Sequence, residues 1–375
     1  MNKKLSILFL AIACLLMRQE IALAQLPSPS HGWNLGNTLE PPCGEGCWGP
    51  AATQALINQI AAQGFNTVRI PCAWNSHANS HTYAIDPVYM ARVKQVVDWC
   101  IAKNLYVVLN DHWDNGWFEN NTFTRYDSRL NSHLQTLWQQ IANNFKNYDS
   151  HLLFACANEP NADTQPKTAV LFQYYQNWIN TIRATGGNNT TRWIIVQGPN
   201  TNTTKSYDWV TMPSDPTPGR LMLEVHYYEP WQFVELTSDQ SWGNMFYFWG
   251  QNYHSTTLPS RNPNWNCEEA YLNGEMDKMK TKFVNNGYPV LFGEWAADKK
   301  PAEPDLTGGL IDLNYASVTY WNKYVHDAIN SRGMFGTCWD INGRIFNWTT
   351  GAITDQNMLN AVRGTSALPR PPGTL

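Results

Sequence analysis

The chain has 375 residues, with 26 Lys+Arg against 30 Asp+Glu, 15% charged and 43% hydrophobic residues, a balance that excludes a disordered chain. A net charge of −4 and the lack of any long Lys/Arg run remove the electrostatic footprint that phosphate backbones and anionic membranes require, so nucleic acid is not expected as a partner. Trp, at 18, outnumbers Phe at 14, although each buried indole N–H needs a partner, so the excess asks for a use beyond the core.

Met1 to Ala24 reads as an export signal: Lys3 and Lys4, an apolar run of 13 residues from Leu5 to Met17, then Ala22-Leu23-Ala24 as a small-x-small cleavage site. The run is short of the roughly 18 residues a bilayer span needs, so no membrane span is expected. Ala11-Ile12-Ala13-Cys14 suggests lipoprotein processing, but apolar residues continue past Cys14, and a surface lipoprotein is the weaker reading. Cleavage before Gln25 leaves 23 basic and 29 acidic residues, a mildly acidic protein that is secreted, extracellular or periplasmic. Seven cysteines follow (Cys43, Cys47, Cys72, Cys100, Cys156, Cys267, Cys338), so at least one thiol stays unpaired in the expected monomer. Cys43 and Cys47, in a Gly-rich turn, are the one locally plausible pair, and the spacings do not fit a four-Cys zinc site.

Short apolar, β-branched runs recur at Gly32–Asn37, Thr67–Cys72, Tyr106–Asp111, Leu152–Glu159, Trp193–Gly198, Leu221–Tyr228, Pro289–Trp295 and Met334–Asp340, eight strand candidates. Helix-period stretches lie between most of them: Ala52–Gln63, Met90–Lys103, Leu134–Phe145, Ala169–Arg183, Glu269–Val284 and Ser317–Ser331. The alternation implies a parallel sheet, and runs that are apolar on both faces but end in Arg69, Asp111, Glu159, His226, Glu294 and Asp340 favour closure. The expected fold is therefore α/β, a single (β/α)8 TIM barrel over residues 25–375, with its chemistry at the carboxyl ends of the strands. An open doubly wound sheet is the alternative, but no Gly-x-Gly-x-x-Gly turn follows the first strand.

Two glutamates close otherwise apolar strands: Glu159 in Leu-Leu-Phe-Ala-Cys-Ala-Asn-Glu-Pro and Glu294 in Pro-Val-Leu-Phe-Gly-Glu-Trp. Burial raises a carboxylate's pKa, and two that face each other are driven apart, which makes one an acid and the other a nucleophile, as glycoside hydrolysis requires. Seen singly, each is as readily an ordinary strand-end carboxylate. His-x-x-x-His and His-Glu-x-x-His spacings are absent, so no metal is expected, and no Gly-x-Ser-x-Gly elbow supports Ser-His-Asp hydrolysis.

Seven motifs in order carry a resemblance: Gly32-Trp33-Asn34-Leu35-Gly36-Asn37, Phe65-Asn66-Thr67-Val68-Arg69-Ile70-Pro71, Leu109-Asn110-Asp111-His112-Trp113, Ala157-Asn158-Glu159-Pro160, Val225-His226-Tyr227-Tyr228, Phe292-Gly293-Glu294-Trp295 and Cys338-Trp339-Asp340. Over about residues 31 to 350 the chain resembles the retaining β-glycanases of glycoside hydrolase family 5. The resemblance implies Glu159 as acid/base and Glu294 as nucleophile. Asn158 would meet the sugar 2-OH, and Arg69 and Tyr228 would hold Glu294. His112 and His226 would line the scissile subsite, His226 also holding Glu159, with Trp339 as a flat wall. Trp33, Asn37 and Trp113 are further substrate-binding or supporting candidates. The chain departs from many relatives in having Trp113 after His112 and Cys338-Trp339-Asp340-Ile341-Asn342-Gly343 after the eighth strand.

The aromatic excess falls partly in Glu229 to Tyr288, between the sixth and seventh strands, with Trp231, Phe233, Trp242, Phe246, Tyr247, Phe248, Trp249, Tyr253 and Trp265. So long an insertion at the active face is usually functional. Flat aromatic faces suit the C–H faces of sugars, and about half of these residues are expected to pack the insertion itself. Trp33, Trp48, Trp74, Trp113 and Trp117 follow strand ends on the same side. The expected function is an endo-β-1,4-glucanase acting on polymeric glucan without a cofactor. The alternatives are a β-1,4-mannanase or xyloglucanase of the same family, or a non-catalytic glycan-binding protein.

Overall fold

Eight short strands close on themselves in chain order, all parallel: β1 (Gly32–Asn34), β2 (Thr67–Ile70), β3 (Tyr106–Asn110), β4 (Leu152–Ala155), β5 (Ile194–Gln197), β6 (Leu221–Tyr227), β7 (Val290–Trp295) and β8 (Phe335–Cys338). β1 pairs with β8 through Gly32 beside Thr337, which seals the barrel. This computed structural model describes residues 30–121 and 123–365, with Leu26 and Ser28. The expected export signal with Cys14, and the Pro-rich tail from residue 368, lie outside the described residues.

All eight expected strands form, but most stop one to four residues before the sequence runs do. Parallel strands of a barrel splay at their carboxyl ends, so Asp111, Asn158, Glu159 and Trp339 sit just past the ladder, on loops free to face a substrate. The outer helices are α1 (Gln54–Ala62), α2 (Pro87–Ile101), α3 (Ser128–Phe145), α4 (Gln165–Ala184), α5 (Thr203–Trp209), α6 (Trp231–Val234), α7 (Glu269–Lys282), α8 (Gly309–Asn330) and α9 (Gln356–Val362). Periodicity alone missed α5, α6 and α9 and began several helices late. Asp86, whose carboxylate accepts from the Val88 N–H at 2.8 Å, caps α2, and Pro87 occupies its first turn, where the missing N–H costs nothing.

The barrel interior is divided by height. Val108, Leu153, Ala155, Ile195, Met222 and Leu291 form an apolar lower layer, while strands and helices share the main core outside it. Two residues on from the lower layer, at the same inward phase, the strands present Asn110, Gln197 and Glu224. Cys43 and Cys47 form the expected disulfide, and Cys72, Cys100, Cys156, Cys267 and Cys338 are buried free thiols. Among the described residues no helix is long and apolar enough to cross a membrane.

Candidate active site

A bulge aims one of the two glutamates. Val225 pairs with Phe292, but His226 pairs with Glu294, so Gly293 is an extra residue on β7. Leu291 faces inward with Met222. Strict alternation would then turn Gly293 inward and Glu294 outward, and the extra residue reverses that phase. A methyl group at position 293 would lie 1.9 Å from Glu224 Oε1, so only glycine fits this bulge.

Arg69, fully buried, organises the floor. Its Nε lies 2.9 Å from Glu224 Oε1, and Nη1 reaches Glu294 Oε1 at 2.9 Å and Asn34 Oδ1 at 3.0 Å. Its Nη2 donates to Asn158 Oδ1 at 2.8 Å. With its oxygen so engaged, Asn158 has its amide N–H groups left to donate. Tyr228 donates to Glu294 Oε2 at 3.0 Å, so both oxygens of this 6% exposed glutamate are held.

Glu159 is the open member of the pair, its side chain 43% exposed. Its Oε1 lies 2.7 Å from His226 Nδ1, and the same nitrogen is 3.8 Å from Glu294 Oε2. Its backbone N–H donates to the carboxylate of Glu119, a buried residue on the loop after β3. Burial works against charge on His226, yet the carboxylates of Glu294, Glu159 and Glu224 raise its pKa to about 10. Burial would raise Glu159, but the hydrogen bond and charge of His226 outweigh it and hold Glu159 below the ordinary carboxylate value. Beside the expected burial and mutual repulsion a third group acts: the His226 imidazole stands between the two glutamates.

The other expected residues separate into two groups. His112 and Trp339 stack with ring centroids 5.7 Å apart and planes 9° from parallel, forming one wall. Burial, Arg69 and His226 all push the His112 pKa well down, so that ring is neutral. Trp113 is 41% exposed. Asn37 is half-buried at φ +57°, its N–H bound to the Glu40 carboxylate, and shapes the loop after β1. Trp33 is corrected as a sugar platform. It is 0% exposed, and its Nε1 donates to Asp340 Oδ2 at 2.7 Å, so it supports the site from inside the core. Trp74 is buried likewise, donating to Asn110 O at 3.0 Å. In the insertion, Trp231, Trp242 and Trp265 are exposed, whereas Phe233, Phe246, Tyr247, Phe248, Trp249 and Tyr253 are buried; Phe233, Phe246, Trp249 and Tyr253 join the main core, so fewer than the expected half pack the insertion itself. Tyr247 and Phe248 pack with Leu236, Met245 and Leu306 in a separate small core. A cleft of about 490 Å³ opens beside Tyr228 and Trp339, lined also by Glu235, Lys300 and Arg344.

Sequence reasoning missed Glu224, Glu119 and Asn34. Glu224 carried a readable signal, being an acidic residue inside an apolar strand, two positions before His226 and therefore on the same face. Glu119 carried none, because its loop shows no period. Glu159, His226 and Glu294 are the one trio among the described residues whose ligand-type atoms lie within 4.8 Å of one another. The Arg69 guanidinium already fixed on Glu294 opposes a second cation there.

The chain is 32% identical over 365 residues to endoglucanase A of Paenibacillus barcinonensis, covering 88% of this chain and 86% of that one. It is 31% identical over 340 residues to a xyloglucan-specific endo-β-1,4-glucanase of Bacteroides ovatus, covering 85% of this chain and 65% of the relative's length, just under two thirds. A crystal structure of a xyloglucan-specific β-1,4-glucanase from a ruminal metagenomic library superposes with a TM-score of 0.80 at 38% identity, covering 92% of this chain and 95% of that one. A broad specificity endoglucanase from Clostridium acetobutylicum gives 0.73 at 28% identity, covering 88% and 96%. Residues 33–344 match the cellulase family, glycosyl hydrolase family 5. With the barrel, the facing glutamates and that match together, the chain belongs to glycoside hydrolase family 5 and is a glycan hydrolase.

Proposed function

We propose that this chain is a secreted endo-β-1,4-glucanase that cleaves polymeric β-1,4-glucan with net retention, its signal at residues 1–24 and its catalytic domain at 25–375. The observation that carries the reading is the carboxylate separation. Oxygens of Glu159 and Glu294 approach within 4.8 Å, which suits the roughly 5–5.5 Å of retaining pairs and leaves no room for the water of an inverting one, at about 6.5–9.5 Å.

Glu294, oriented by Arg69 and Tyr228, attacks the anomeric carbon and forms a glycosyl ester as the glycosidic bond breaks. Glu159 protonates the departing oxygen, then takes a proton from the water that cleaves the ester. Glu159 and His226 share one proton along their 2.7 Å contact. A bound glucan excludes water from the open side of Glu159, and desolvation favours the neutral pair, with the proton on Glu159. The free amide N–H of Asn158 is available to the 2-OH, and the His112–Trp339 stack to a ring face. Glu294→Ala should abolish hydrolysis while polysaccharide affinity survives in pull-down; unchanged turnover would overturn the assignment.

A second reading is favoured by the 38% identical neighbour, which is xyloglucan-specific, and by the wide cleft beside Trp339, which gives room for a branched chain. Reducing-sugar release from carboxymethylcellulose, barley β-glucan, xyloglucan and galactomannan separates the two and tests the mannanase alternative. Release only from xyloglucan selects the second reading.

A further inference from the structure

Glu224 touches no open surface, yet it lies at the junction of the two halves of the site. It is 0% exposed, and its Oε1 is 2.9 Å from Arg69 Nε and 3.3 Å from His226 Nε2. Its Oε2 accepts from Gln197 Nε2 at 2.6 Å. The other nitrogen of His226 faces Glu159 Oε1 at 2.7 Å. A carboxylate, an imidazole and a second carboxylate therefore form one hydrogen-bonded line from the buried floor to the open glutamate.

We propose that Glu224 is a positioning residue that commits His226 Nε2–H, so that Nδ1 always faces Glu159 and the proton used in hydrolysis is held jointly by His226 and Glu159. The inference rests on Glu159 being the acid/base. An ionised carboxylate accepts hydrogen bonds only, so the nitrogen beside Glu224 must carry a hydrogen. The neutral imidazole is thereby fixed as the Nε2–H tautomer, with Nδ1 free to take or return a proton. The bulge at Gly293 leaves the space Glu224 occupies; burial works against charge there, and Arg69, His226 and Gln197 together outweigh it and lower the Glu224 pKa. The other charged or titratable groups acting on His226 are Glu294 at 3.8 Å, Glu119 and His112, and Arg69 meets the line at Glu224. Glu224 and Glu159 are the two that hydrogen-bond the ring nitrogens.

The test is the pH dependence of kcat/KM on soluble β-glucan for wild type, Glu224→Gln and Glu224→Asp, each checked for folding by far-UV circular dichroism. Removing one anion from the line weakens its hold on the shared proton, so the alkaline limb of Glu224→Gln should move down by about 1 unit or more. Glu224→Asp, which keeps the charge, should recover part of that shift. An alkaline limb that stays at the wild-type pH in folded Glu224→Gln overturns the proposal. If the variant does not fold, 15N chemical shifts of His226 in the wild-type enzyme decide instead. Nε2 should stay protonated up to the alkaline limb, and an unprotonated Nε2 at neutral pH overturns the proposal. Failure of the underlying assignment gives a different result: Glu159→Gln would then retain the wild-type alkaline limb, whatever His226 shows.

Discussion

Replacing Arg69 with Met keeps the length of the stem and removes the guanidinium, so the change isolates what the buried charge does. Four partners are affected: Glu294 at 2.9 Å and the amide oxygens of Asn34 and Asn158 at 3.0 and 2.8 Å lose a hydrogen-bond donor, and Glu224, 2.9 Å from Nε, loses its ion-pair partner. Stranding a buried charge costs about 3–5 kcal/mol. Glu224 retains His226 and Gln197, and Glu294 retains Tyr228, which places the charge cost near the low end. The two amide oxygens add roughly 1 kcal/mol more. Unfolding entropy of about 2.1 cal/mol/K per residue over roughly 340 described residues gives about 0.7 kcal/mol/K, so Tm should fall by roughly 5–8 °C at pH 7. Arg69→Lys, a point charge that cannot span four partners, should lose a smaller part of this. Arg69 is the largest of the interactions that together outweigh burial and hold Glu224 below its ordinary 4.5. That stabilisation is present above about pH 4.5 and is lost as pH falls through the lowered native pKa, so the gap between wild type and Arg69→Met should narrow in acid. Calorimetric melts from pH 7 to pH 3 read both effects. A Met variant melting within about 1 °C of wild type at pH 7, or a gap that widens in acid, would refute the reasoning.

Glu159→Ala should lower kcat on polysaccharide by about 10²–10⁴-fold, but much less on aryl glucosides whose leaving groups need no proton, with added azide restoring turnover. Equal losses on both substrates would count against the acid role. Trp33→Phe leaves Asp340 Oδ2 without its indole donor. It should cost about 1–3 kcal/mol, read as a lower Tm, with KM changed less than about threefold, whereas a platform residue would raise KM strongly. His31 Nδ1 lies 3.1 Å from His326 Nε2, and burial, His326 and Arg363 lower its pKa from 6.5 to about 4. Between those values the unfolded chain binds a proton that the fold refuses, so stability falls as pH drops through that window. His31→Asn should flatten that part of the Tm-versus-pH curve in differential scanning fluorimetry; a curve parallel to wild type would contradict the assignment.

Helix starts show a signal that was present but outweighed. Asp86-Pro87 and Thr164-Gln165-Pro166 mark the first turns of α2 and α4, while apolar period placed those starts later: the α4 first turn, Gln165-Pro166-Lys167-Thr168, is polar, and in α2 the exposed Pro87 and Val88 precede the buried stripe. The indoles show the opposite case. Trp33, inside β1, is fully buried, and Trp113, three residues past the end of β3, is 41% exposed, although the sequence pattern reads both as lying at strand ends. Composition said that many indoles needed a role, and only packing against α-helices or open solvent assigned one to each.

Local pattern determined the eight strands, their alternation with helices and the two glutamates, because strand burial on both faces writes itself as continuous apolar runs with polar ends. The same pattern located Arg69, Tyr228 and His226 at strand ends, where a barrel gathers them. What the chain order could not state was the phase and the charge of the site. Phase depends on the extra residue at Gly293, which turns Glu294 inward only through its pairing with β6. Charge depends on which groups meet: Glu224 and Glu119 join the two catalytic candidates from β6 and from a loop, and His226 between them lowers the Glu159 pKa that burial would raise. Electrostatic coupling is a property of distances across the barrel, and those exist only once it has closed.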